Sequence, residues 1–297
     1  MRPIRSLLLF LLVVFVGGAL LAPWLYRLAQ WTKLESLVQR PFHRFVTRGI
    51  EALALIGLWP FVRSLGVRSW SSAGIVKPAG QWSRLRGGFA LGIGSLALPA
   101  VLALAFGARQ LDGGIAGHWS GKLPGIALTA AVVATLEELL FRGALFGALR
   151  RAHGWKAALL GSSAVYAIVH FFQRVESTGP VTWSSGLVLL PRMVHGFVQP
   201  AMLVPGFFTL TLAGAILALA LQRTGNLYFS IGLHAGWIFW LKSYVLITDL
   251  RPGAATWFWG TGKLYDGWVA LLVLAAVGGI VWRLLPSEAL HEPQNDE

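Results

Sequence analysis

The chain has 297 residues, 56% of them hydrophobic and only 12% charged, with 14 tryptophans and a net charge of +13. That is about half the charged content of a soluble domain, which excludes an ordinary water-soluble globule. The absence of cysteine excludes disulfides and thiol chemistry. The basic residues sit mostly between apolar runs, the pattern of loops anchored on anionic lipid, so the lipid bilayer is an expected partner and nucleic acid is not.

In chain order, residues 6–26 form a first span behind Arg2 and Arg5. The run is long, and its end, Pro23-Trp24-Leu25-Tyr26, lacks a small-x-small cleavage site, so a retained span is expected. Residues 27–48 are basic and amphipathic, with Leu34, Leu37, Val38 and Phe42 at helical spacing, and are expected to lie along the interface. Further spans are expected near 49–66, 88–107, 124–149, 155–173, 194–222, 226–247 and 267–285, each close to the ~20 residues that a bilayer requires. Pro60 and Arg63 interrupt the first of these.

The expected fold is therefore an all-α membrane protein, about eight transmembrane helices in a single bundle, with no repeat and no second domain. Its parts along the chain are a first span at 1–26, an interfacial segment with accessory spans at 27–123, a charge-bearing core at 124–247, and a last span with an acidic tail at 248–297. Beyond Pro286 the tail is expected to be loose. The basic loops orient the chain with its N-terminus inside. Arg63, Arg68, Lys77, Arg84 and Arg86, then Arg150, Arg151 and Lys156, then Arg223 fall on the cytoplasmic side. The nearly neutral loops around Asp112 and around Asp249, Arg251, Lys263 and Asp266 fall outside. The segment with Arg27, Lys33, Arg40 and Arg44 breaks this rule unless it is interfacial. Short loops, basic termini and the lack of cysteine point to a bacterial inner membrane.

The core is organised around LPGIALTAAVVATLEELLFRGALFGALRR, starting at Leu123, in which Glu137, Glu138 and Arg142 are set among apolar residues. Each charge near a bilayer centre costs roughly 2.5–3.5 kcal/mol on insertion scales, so such residues have a partner or a task. Glu138 and Arg142 are i and i+4, on one helix face and in the favourable order for an ion pair. Glu137 lies about 100° around the helix and is less well placed to share that arginine. This reads as one structural glutamate, Glu138, and one spare, Glu137. The structural alternative is that both only satisfy arginine or backbone inside a bundle.

Of seven histidines, His170 and His234 fall within expected spans. A single histidine there is ordinarily an interhelical hydrogen-bonding group. Three apolar spans that each bury an ionisable group tend to bring those groups together. At ~1.5 Å per residue, Glu137 is about 20 Å from Arg150 and His170 about 22 Å from Trp155, so both reach similar depth from one basic loop. His234, shortly after Asn226, is shallower by the same count. His195 and Gln199 form a possible i,i+4 polar pair at a helix end. His43, His118, His153 and His291 belong to interfaces, loops or the tail.

The sequence contains no H-E-x-x-H helix, no G-x-S-x-G elbow and no aspartate pair inside a span. Glutamate with histidines remains. Amide hydrolysis needs a base for water, a donor to the oxyanion and a proton for the leaving amine. A carboxylate can serve the first and third needs, while neutral histidines can hold water, donate to the oxyanion or bind a metal.

At these residues the chain resembles the CPBP intramembrane proteases, relatives of the CAAX prenyl endopeptidase of the Ras-converting type. The resemblance rests on Glu137-Glu138-x-x-x-Arg142 with Gly143, on Tyr166-x-x-x-His170, and on the block from Arg223-Thr-Gly-Asn-Leu to His234, and covers roughly residues 125–240. It implies an eight-helix fold that cuts peptide bonds of membrane-anchored proteins or peptides within or beside the bilayer. By the same resemblance Glu137 and His170 activate the water, His234 stabilises the oxyanion, and Glu138 with Arg142 shapes the site. A zinc held by Glu137, His170 and His234 is compatible with the family, as is a metal-free glutamate mechanism. We favour no cofactor, because Glu137 cannot easily be both ligand and base, and no second-shell acceptor is visible beside His170 or His234.

The family often carries an asparagine four residues after the last histidine, where this chain has Ile238. Trp237 and Ser230 are the possible replacement oxyanion donors. Two other classes stand beside the protease: a catalytically silent membrane scaffold or binding protein on the same fold, and a small transporter using Glu137 as a proton relay. The transporter would require charges along a path across the bilayer and repeated halves, and neither is visible.

Overall fold

A computed structural model describes residues 2–32, 39–112, 119–172, 179–194, 197 and 200–285. The chain is nearly all helix: α1 (Arg2–Thr32), α2 (Phe42–Ser64), α3 (Trp82–Ala105), α4 (Trp119–Glu138), a π-helix (Leu139–Phe146), α5 (Gly147–Val169), α6 (Ser185–Met193), α7 (Pro200–Thr224), α8 (Tyr228–Ile247), α9 (Thr256–Trp259) and α10 (Trp268–Leu284). Two three-residue strands, β1 (Arg109–Leu111) and β2 (Thr248–Leu250), pair antiparallel and tie the end of α3 to the end of α8. Buried Arg109 clamps this ribbon, donating to the Thr248 hydroxyl at 2.9 Å and to its carbonyl at 2.7 Å.

Among the described residues, five helices are long and apolar enough to cross a membrane, where about eight spans are expected from the sequence. The difference has three sources. The expected spans 124–149 and 155–173 belong to one 51-residue helical run, Trp119–Val169. The run turns at Gly154, whose φ of 76° and ψ of 165° break the helix where the sequence has its basic loop. At 17 residues, α10 lies at the low end of the length that a crossing requires. Ser230, His234, Lys242 and Ser243 dilute the apolarity of α8.

The segment expected at the interface is divided instead between two long helices. Residues 27–32 complete α1 and residues 42–48 begin α2. Phe42 is buried rather than lipid-facing, while Leu34, Leu37 and Val38 lie outside the described residues. So do His118, His195, Gln199, His291 and the acidic tail.

The chain forms two compact units, residues 1–66 with 169–199 and residues 67–168 with 200–297. In the first, α1, α2 and α6 pack around Ala22, Phe42, Val46 and Leu189. α1 and α2 touch through glycines: a Cβ on Gly18 would lie 2.6 Å from the Ile50 backbone nitrogen, and one on Gly49 2.7 Å from the Gly18 carbonyl oxygen. Without a hydrophobic drive between helices in lipid, such small residues let dispersion act over a close crossing.

The second unit uses the same device on both partners. Gly88 and Gly92 on α3 face Gly232 and Gly236 on α8, and a Cβ on any of the four would come within 2.1–2.4 Å of a backbone oxygen across the interface. Behind this seam, Leu96, Ile216, Leu217, Leu233, Leu274 and Val277 form the core. Along α8, His234 sits two residues from each glycine, about 200° around the helix. The glycine face of α8 is thus committed to α3, and the histidine face is turned toward α4, the π-helix and α5.

Candidate active site

The glutamate pair stands where α4 gives way to the π-helix, Glu138 being the last α-helical residue. π-turns are rare, and those that occur are frequently at functional sites. Here the wider turn carries Arg142, whose side chain returns to Glu138: Nη1 lies 3.2 Å from Oε1, with both side chains buried. Arg142 also donates to the Gly214 carbonyl on α7 at 3.3 Å. Its guanidinium lies 4.4 Å from the centroid of the Tyr166 ring, close enough for a cation–π contact. Gly143 is required next to it, since a Cβ there would meet the Ala73 carbonyl oxygen at 2.6 Å.

That contact explains why His234 reaches the glutamates despite its short distance in sequence from Asn226. The turn at residues 71–74 lies against Gly143, and the carbonyl of Gly74 accepts the Leu227 N–H at 2.9 Å. α8 therefore starts near the level of Gly143, well inside the basic loop at Arg150. From Leu227 to His234 is about 10 Å of helix, and from Gly143 back to Glu137 about 9 Å, so the two groups meet in depth. The link itself is sharp. Gly225 takes φ of 70°, a left-handed value suited to glycine. Asn226 donates to the Thr224 carbonyl at 3.1 Å and accepts the Tyr228 N–H at 3.2 Å.

His234 is buried and held from both sides. Its Nδ1 lies 3.0 Å from Glu138 Oε1. An ionised carboxylate only accepts, so Nδ1 carries the proton of this bond. Nε2 faces the Tyr166 hydroxyl at 3.3 Å and Glu137 Oε2 at 3.8 Å. Glu138 is thus not only the partner of Arg142. It is the carboxylate acceptor beside His234 that the sequence does not show, because a neighbour along a helix cannot supply it. The two glutamates differ sharply in access: the Glu138 side chain is 0% exposed and that of Glu137 27%.

The proposed replacement donors point elsewhere. The indole N–H of Trp237 is given to Ser95 on α3 at 2.9 Å, and the hydroxyl of Ser230 to the Leu217 carbonyl on α7 at 3.0 Å. Ile238 packs against Ala130, Ala134 and Ala235. Tyr166, which sequence reading treats only as the aromatic of a histidine motif, is instead the hydroxyl nearest the site. Its spacing of four residues before His170 was the available signal. Its ring is buried edge-on against Phe141. His170 follows the last residue of α5, is half-buried and belongs to the first compact unit, whereas Glu137, Glu138, Arg142, Tyr166 and His234 belong to the second.

As metal ligands, Glu137 and His234 present two donor atoms 3.8 Å apart. Among the described residues no group of three or more histidine, aspartate or glutamate side chains is placed to hold an ion. A catalytic zinc takes three protein ligands and an open position, so the donor set described here falls short of one.

What this arrangement offers chemically is an accessible carboxylate beside a buried imidazole that a second carboxylate orients. No curated protein and no solved structure matches the chain. Residues 119–240 match the family described as Rce1-like, type II CAAX prenyl endopeptidase, a protease family. This stretch contains every residue of the cluster, and the apolar helices around it make the chain an integral, multi-pass membrane protein. Over residues 119–240 the chain is thus similar to the Rce1-like, CAAX-protease-like family.

Proposed function

We propose that the protein is an intramembrane endopeptidase that hydrolyses a peptide bond of membrane-anchored proteins or peptides, in a bacterial inner membrane. The observation that carries this reading is the His234 imidazole, bound through Nδ1 to buried Glu138 and facing half-accessible Glu137 through Nε2. A purely structural ion pair needs Glu138 and Arg142 alone. It gives no reason for a second, partly exposed carboxylate to face the same histidine.

In the mechanism, Glu137 takes a proton from water as the new C–O bond forms at the scissile carbonyl. The carbonyl π-electrons move to oxygen, and the resulting oxyanion is met by donors. His234 stabilises it, as the family resemblance implies, when the ring enters the cycle with both nitrogens protonated: Nδ1 donates to Glu138 and Nε2 to the oxyanion, and both protons stay on the ring throughout. The Tyr166 hydroxyl, 3.3 Å from Nε2, is the second donor, taking the place of the side-chain amide absent at Ile238. Collapse of the tetrahedral species breaks C–N, and the proton on Glu137 passes to the leaving amine. Glu138 and Arg142 hold the imidazole and touch no substrate atom. No step runs through a metal.

The test is a comparison of membrane proteins in cells carrying the native chain and the Glu137→Gln variant. Uncut substrates should accumulate in the variant, and their terminal sequences would give the cleavage site. An unchanged set of membrane proteins, with the variant expressed and inserted, would support the silent scaffold instead.

A further inference from the structure

A second feature of the larger unit lies away from the glutamates. α5, α7 and α10 enclose an open groove of about 560 Å³. Its walls are Leu159 from α5, Leu212, Ile216 and Leu219 from α7, and Ala275 from α10. The glycine pair of α10 hollows it out. A Cβ on Gly278 would rest 3.5 Å from Ile216, but one on Gly279 would meet nothing within 4 Å. From Ala275 to Arg283 the groove follows about 12 Å of helix, close to the roughly 15 Å hydrocarbon depth of one leaflet.

One end of the groove is aromatic and cationic. Trp155, Trp282 and Arg283 line it there. Lys156 Nζ lies 5.9 Å from the Trp155 ring, and the Arg223 guanidinium 5.0 Å from the Trp282 ring. Arg223 is fixed by donating to the Leu285 carbonyl at 2.9 Å. Lys156 and Arg283 are exposed. Tryptophans at such an end mark the headgroup level, and the basic residues belong to the side that the loop charges assign to the cytoplasm.

From this apolar trough with a basic mouth we infer that the groove is a binding site for one anionic glycerophospholipid. An acyl chain lies along Leu159, Ile216 and Leu219, and the phosphate meets Lys156 and Arg283. A zwitterionic lipid brings its own cation to that mouth and loses the electrostatic part of the attraction, which for basic residues near an anionic surface is appreciable. The site is independent of the protease reading.

The experiment uses the full chain in nonionic detergent, with phosphatidylglycerol and phosphatidylcholine of identical acyl chains added in equal amounts. Native mass spectrometry should show one phosphatidylglycerol retained per chain, about 10-fold over phosphatidylcholine, with a higher melting temperature. Lys156→Gln with Arg283→Gln should abolish the preference. Gly279→Leu, whose Cβ would meet nothing within 4 Å and whose longer side chain would occupy the trough, should remove both lipids from this site. Equal retention of the two lipids by the native chain would overturn the inference, as would retention unchanged in both variants. Displacement of phosphatidylglycerol by an equimolar prenylated peptide would also overturn it, because the groove would then belong to a substrate.

Discussion

Glu137 and Glu138 adjoin in sequence yet stand in different surroundings, and their variants should separate accordingly. Glu137→Gln should abolish cleavage while leaving the melting temperature in detergent unchanged. Arg142→Met leaves Glu138 without its cation and should cost about 3–5 kcal/mol, the range for breaking a buried pair from one side. Glu138→Gln should lose stability and activity together, because it touches both Arg142 and His234. Equal destabilisation by both glutamate variants, measured by thermal melting, would contradict this division. Tyr166→Phe keeps the ring against Phe141 and under Arg142 but removes the hydroxyl. It should lower kcat by about 10²–10³-fold with KM unchanged, as loss of one oxyanion donor does. A melting temperature equal to that of the native chain would separate this effect from misfolding.

Among the elements, the α3–α8 crossing is what aims His234. Gly232→Ala places a methyl group 2.1 Å from the Leu85 carbonyl oxygen and should destabilise by about 1–3 kcal/mol, as overpacking does. Gly94→Ala on α3, where a Cβ would meet nothing within 4 Å, is the control and should be neutral or mildly stabilising. Melting curves of the two variants in one detergent check this. The sequence made some of these relations readable. The i,i+4 spacing of Glu138 and Arg142 announced their ion pair, because it depends on one helix alone. The Glu138–His234 bond was not readable, because the depth of α8 is set by a turn at residues 71–74 that rests on Gly143. The engagement of Trp237 with Ser95 was hidden for the same reason. A helix wheel lists which residues share a face and says nothing about which neighbour occupies it.

For the whole molecule, the balance of burial and access bears on the metal question. Among the described residues of the larger unit, Glu137 Oε2 and His234 Nε2 are the two donor atoms brought together, and the Glu138 bond to Nδ1 supplies the acceptor that a histidine ligand would also use, so the proposal of a metal-free reaction rests on the ligand count alone. The purified protein should retain activity through exhaustive chelation, and elemental analysis should find no stoichiometric zinc. Activity lost to chelator and restored by one equivalent of zinc would overturn this proposal. All-helical class and membrane residence were legible from composition alone, since few charges and long apolar runs admit little else. The two spans on either side of Gly154 were legible from the basic loop between them, whereas α10 has 17 residues, the low end of what a crossing requires.

The π-helix at Leu139–Phe146 has a consequence for how this chain tolerates change. A π-turn holds more residues than an α-turn, so the angular phase of everything beyond it depends on the residue count between Glu138 and Gly147. Exchanging one apolar side chain for another there leaves that phase intact. Removing a single residue between Glu138 and Arg142 would let the segment relax into α geometry and leave the arginine at i+3, about 100° from the place that an i+4 residue takes on an α-helix. Along this stretch, spelling is freer than length, and descent with insertions or deletions is closed where descent by substitution stays open.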